Sequence, residues 1–174
     1  MRVTTLFGQF RTPFLARQLD DPVFGHLCRR HGIMWETKAA LPEAGERLTV
    51  DVFAPEAGPS EAQRELFSHL GEHFRELKAE MEQPLHDKYQ RICKMFRAQY
   101  AGKPYEPDFE HDFPPCHCPA AIWNIAHLDH LEFYGNPKLD LIFNHALNWE
   151  NDHHLNVMIK NWHVVDLEMD GCDG

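Results

Sequence analysis

Between Ser60 and Tyr100 the apolar residues recur at three- and four-residue steps, and on either side of that stretch the period drops to two. A chain with this switch can build only a limited set of layered folds. Leu66, Phe67, Leu70, Phe74, Leu77 and Met81, then Leu85, Tyr89, Ile92, Phe96 and Tyr100, form the buried stripe of a helix or helix pair. Ser60-Glu61-Ala62-Gln63 has capping-box spacing, with the Ser60 hydroxyl placed to accept from the Gln63 amide. Pro84 has no amide proton to donate, which predicts a break or kink. Seven acids and seven bases over the same stretch make its outer face an ordinary solvated one.

Before the helix, Asp20-Asp21-Pro22 reads as a turn into a short strand at Val23-Phe24-Gly25. Ile33, Trp35, Thr37, Ala39 and Leu41 alternate with polar or small residues, Pro42-Glu43-Ala44-Gly45 turns, and Leu48, Val50 and Val52 alternate again. That is a hairpin signal. After the helix, Leu131 and Phe133, then Leu139, Leu141, Phe143 and Leu147, then Leu155, Val157 and Ile159, then Val165, Leu167 and Met169 repeat the pattern, with turns at Asn136-Pro137 and Asn161-Trp162. The expected fold is α+β. An antiparallel sheet is made of the N-terminal hairpin (20–55) and a C-terminal three- or four-strand meander (127–170), and a long kinked helix or helix pair (60–100) covers one face. A proline-rich loop (101–119) joins the last two parts of a single 1–174 domain.

Charge enters because it is unevenly spread. Residues 1–100 hold fourteen acids and fourteen bases, while 101–174 hold thirteen acids and three lysines, so the net charge of −10 lies wholly in the second part. An acidic stretch of this kind repels phosphate and excludes nucleic acid as a partner. Alternation along the strands puts Asp140, Asp166 and Glu168 on the sheet face away from the core. Glu150, Asp152 and His153 fall in a turn, and Glu106, Asp108, Glu110 and Asp112 in the loop. These ten residues are the expected contact set for a basic protein partner. No apolar run approaches the roughly 20 residues of a membrane helix. Five scattered cysteines form no disulfide framework and suit a cytoplasmic protein. Arg2, Arg11 and Arg17 among Phe7, Phe10 and Phe14 give the first twenty residues only a faint likeness to a targeting segment.

Two patterns bear on metal chemistry. His69-Leu70-Gly71-Glu72-His73 matches the inverted zincin motif, but Leu70 belongs to the buried stripe and the chain is short for a metalloprotease. His111, Cys116 and Cys118, with His153, supply zinc-type ligands, so a zinc-binding protein or metal-dependent hydrolase is the alternative reading. His145 shares the apolar face of its strand, where burial would hold it neutral. No nucleophile, phosphate or dinucleotide fingerprint is present, and the expectation is a protein that is no enzyme and needs no cofactor.

Four segments carry a likeness: Asp21-Pro22-Val23-Phe24-Gly25-His26-Leu27, the Trp35 strand, Pro59-Ser60-Glu61-Ala62-Gln63, and Trp149-Glu150-Asn151-Asp152-His153-His154-Leu155-Asn156-Val157. With them the chain resembles a broad group of small bacterial domains of unknown function. That group has a D-P-V-F-G-x-L opening, a tryptophan-bearing hairpin, a long helix and a closing W-D-x-E-H-G-L-x-V hairpin. The likeness covers most of 20–170 and departs at His154, where the group has glycine, and in the added 101–119 loop. It implies a stand-alone cytoplasmic protein without catalytic residues. For members encoded beside polymorphic toxins it implies an immunity protein. The functional expectation is therefore a non-catalytic binding protein that neutralises a cationic toxin through an acidic surface. A scaffold or regulator with another partner is a further alternative.

Overall fold

The computed structural model of the chain describes residues 17–41, 47–103, 113–147 and 150–169; of 135 and 150–153 it describes the backbone alone. Eight strands form one sheet in sequence order: β1 (Gln18–Asp21), β2 (Gly25–His31), β3 (Met34–Ala40), β4 (Arg47–Phe53), β5 (Ala126–Asn136), β6 (Leu139–Leu147), β7 (Glu150–Lys160) and β8 (His163–Met169). The fold is α+β, as expected. The N-terminal part is larger than a hairpin, because β1 and β2 add to β3 and β4, and the C-terminal meander has four strands. Val23-Phe24 is turn rather than strand. The Asp21 carboxylate accepts from the Val23 and Phe24 amides and closes the turn between β1 and β2.

One pairing departs from the expected antiparallel sheet. β4 and β5 run parallel, with Asp51 level with Glu132. Parallel neighbours cannot be joined by a tight turn. Helix α1 (Glu61–Tyr100), the one α-helix among the described residues, lies in the connection between them, followed by a 3-10 segment (Pro119–Asn124). α1 runs unbroken through Pro84, so the helix pair does not form. An interior proline costs about 3 kcal/mol. The residues that follow it, Leu85, Tyr89 and Ile92, are all buried, and burial of such side chains is worth about 1.5–3 kcal/mol each. The packing gain outweighs the lost hydrogen bond to Glu80.

The entry to α1 is fastened twice. Ser60 and Gln63 form the capping box, and the buried Gln63 amide also donates to the Phe53 and Phe133 carbonyls on β4 and β5. Gln63 thus holds the parallel pair at the point where the helix starts. The stripe Leu70, Phe74, Leu77, Met81 and Leu85 packs on the sheet side that carries Val50, Val52, Leu131, Phe133, Leu141, Phe143, Leu155 and Val157. The rings of Phe24, Phe67 and Phe133 meet at 4.5–5.5 Å centroid separation, and Phe74 meets Phe143 at 5.7 Å. No helix among the described residues is long and apolar enough to cross a membrane.

Candidate functional site

The opposite side of the sheet carries its polar half. Period-two geometry sends alternate residues there, and strand register lines them up in rows. One row reads Cys28, Glu36, Asp51, Glu132, Ile142, Met158 and Asp166, from β2 to β8. The next reads Lys38, Thr49, His130, Asn144, Asn156 and Glu168. Three carboxylates therefore stand side by side on β3, β4 and β5, and two more on β8. The apolar Ile142 and Met158 lie between the two groups.

Each of the three central carboxylates has its own partner. Arg30 donates to Glu36 at 2.5 Å; this hydrogen bond, against the effect of burial, holds the Glu36 carboxyl below its usual range. His130 Nε2 lies 3.0 Å from Asp51 Oδ2. Burial opposes charge on His130, but the hydrogen bond and charge of Asp51 outweigh it, so its pKa is raised. The Tyr134 hydroxyl donates to Glu132, and the Asn144 amide donates to the other Glu132 oxygen at 3.1 Å. Burial first, then the hydrogen bond to Glu132 and its charge, pushes the Tyr134 phenol upward. Phe53 stacks on Tyr134 at 4.5 Å and borders this cluster. Asp51 is only 7% exposed, and its Oδ1 is buried with no hydrogen-bond partner.

Of the expected contact residues, Asp166 and Glu168 do lie exposed on the open face. Asp166 also serves its own strand, since its carboxylate accepts from the Leu167 amide at 2.8 Å. Glu80 accepts from the Val164 amide at 3.0 Å, and the β7–β8 register shifts at Val165. These features shield the outer edge of β8. Asp140 sits at the end of the sheet, where it pairs with Lys160 at 2.6 Å and accepts from the Asn161 amide at 2.7 Å. Its charge is spent within the fold. Glu150, Asp152 and His153 belong to the start of β7 rather than to a turn, beside a register shift at Ala146/Leu147, with their backbone alone described. Glu106, Asp108, Glu110, His111 and Asp112 lie outside the described residues, as does the N-terminal segment 1–16.

Of the four metal candidates, Cys116 and Cys118 alone have side chains among the described residues. Cys116 is buried, with its thiol pushed up by burial, while Cys118 two residues on is exposed. Among the described residues no group of three or more His, Cys, Asp or Glu is placed to hold a metal ion. His69 and His73 share a cleft of about 510 Å³ at the sheet end with Gln63, Tyr134, Asp140 and Trp162. His69 Nδ1 pairs with the Glu65 carbonyl at 2.9 Å, and His73 stacks on Trp162 at 4.2 Å. Asn161 and Trp162 both have positive φ, 51° and 62°, as a two-residue turn between β7 and β8 requires. The ring stack offsets the cost of holding a bulky residue there.

His145 is fully buried beside Trp123 and Phe143. Burial lowers its pKa to about 4; backbone groups of Phe143 and Leu155 offset this in part, without aligning as hydrogen bonds. The residues that sequence reasoning missed are Glu36, Asp51, His130 and Glu132. Their polar positions in alternating strands are visible in the sequence, but their meeting depends on the parallel β4–β5 pairing.

Comparison with curated proteins and with solved structures gives no match. The profile of one family, the Domain of unknown function (DUF6985), matches residues 23–174, and the chain belongs to that family.

Proposed function

We propose that this chain is a non-catalytic binding protein that receives a basic protein on the open face of its sheet, in the manner of an immunity protein for a cationic bacterial toxin. The observation that supports this best is the layout of that face. Glu36, Asp51 and Glu132 flank one side of Ile142 and Met158, and Asp166 and Glu168 flank the other. An apolar centre with a charged surround is the composition of many protein interfaces. The −10 charge from 101 onward, which includes the loop acids and Glu150 and Asp152, extends the same sign. Such a field speeds encounter with a basic surface and would cover a cleft built for nucleic acid.

The test is association with the basic product of an adjacent toxin-like gene, followed by stopped flow from about 50 to 500 mM salt. The combined variant Glu36→Gln, Asp166→Asn, Glu168→Gln should slow association about tenfold at low salt and flatten the salt dependence. Co-expression should also restore growth to cells making the toxin. Unchanged rates in the variant, or no rescue, would defeat the reading.

A further inference from the structure

The charge of α1 balances over its length but is sorted along it. Residues 61–83 hold six acids and three bases, whereas 84–100 hold one acid, Asp87, and four bases, Lys88, Arg91, Lys94 and Arg97. In the first part Arg64 pairs with Asp21 and Glu61, and Lys78 lies 5.0 Å over the Trp123 ring. In the second part no carboxylate among the described residues pairs with Lys88, Arg91 or Lys94. Asp87 accepts from the Gln83 amide and lies 3.5 Å from His86, and Arg91 bonds the Asp87 carbonyl instead. The helix dipole favours cations within the last turn only, and these three precede it. The surface beside them is apolar. Met95 is 48% exposed, and a hollow of about 150 Å³ opens among Lys88, Arg91, Ile92, Met95 and Met169, where α1 meets the end of β8.

We propose that this hollow is a second docking site, separate from the open face, and that it takes one aliphatic side chain from an acidic segment of a partner protein. The carboxylates on either side of that anchor meet Lys88, Arg91 and Lys94, the charge complement of a short acidic run. The volume suits one side chain and falls short of the roughly 300 Å³ of a small-molecule pocket. Met95 and Met169 form two of its walls, and their unbranched thioethers mould to what enters. None of the lining residues is aromatic, so the bases of a nucleic acid would find no ring to stack on. The net charge of −10 also opposes a long run of phosphates more than it opposes a few carboxylates.

The probe is the peptide acetyl-Glu-Glu-Leu-Glu-Glu amide, titrated into the whole chain while the methionine methyl signals are followed by NMR. The Met95 and Met169 methyls should shift saturably, about fivefold more tightly than with the same peptide carrying alanine at its centre. Affinity should fall about tenfold in the double variant Lys88→Ala, Arg91→Ala, and by a similar factor in Met95→Ser. Circular dichroism confirms that each variant is folded. The open-face variant Glu36→Gln, Asp166→Asn, Glu168→Gln should not weaken the peptide. Absence of binding, equal affinity for the two peptides, an unchanged double variant, or tighter binding of a thymidine oligonucleotide at the same methyls would overturn the proposal. So would a dimer in sedimentation that Arg91→Ala or Met95→Ser dissolves, because the occupant would then be a second copy of this chain.

Discussion

His130 and His145 stand on neighbouring strands and face opposite sides of one sheet, and the two sides push their imidazoles in opposite directions. On the open side, Asp51 pulls a proton onto His130 in spite of burial. On the helix side, enclosure among Trp123 and Phe143 strips the proton from His145. The thickness of a single sheet separates a region that gathers charge from one that excludes it. The helix-covered side therefore governs whether the chain folds, and the open side governs what it can meet.

The contrast is tested most severely by neighbouring residues of β6. Phe143→Ala should cost about 3–5 kcal/mol by urea unfolding, through lost burial and the cavity left under α1. Asn144→Ala, on the open side, should cost about 1 kcal/mol, the scale of one hydrogen bond. Next comes acid. The folded pKa of His145, about 4, lies below the ordinary histidine value, so its contribution is fully present above about pH 6.5 and is lost as pH falls toward 4. About 3 kcal/mol of stability should go over that range. His145→Leu should remove most of this dependence and leave the chain at least as stable at pH 7.

His130 tests the opposite sign. Its raised pKa means that the pair with Asp51 stabilises the fold below the ordinary histidine value and loses that effect as pH rises through the raised one. In Asp51→Asn the His130 pKa should move down, read directly by NMR titration, with stability near pH 6 falling by about 1 kcal/mol. The smallest effect belongs to Glu36→Gln. It should change stability by less than about 1 kcal/mol, because Arg30 is exposed and its ion pair is screened by solvent.

Local chemistry in this chain is legible from its residues, and long-range pairing is not. Ser60 and Gln63 announce the start of α1, and alternation in Leu155–Ile159 and Leu167–Met169 places Asp166 and Glu168 on the outer face. Pro84 leaves one long helix and a helix pair both open, because the burial of Leu85 and Tyr89 that favours the single helix is a tertiary gain that local propensity does not contain. The ion pair of Asp140 is equally hidden from local pattern, because Lys160 comes from another strand. Asp51 and Glu132 each look like ordinary outward-facing residues until the parallel register makes them neighbours.

That register also has a kinetic consequence. Each antiparallel pair closes a short turn and can form early, whereas docking β4 on β5 must close a loop of about eighty residues, the slowest kind of contact for a chain to find. The two meanders should gain hydrogen-exchange protection first and the seam between them last. The carboxylate cluster, which straddles that seam, would then be assembled only in the final step of folding.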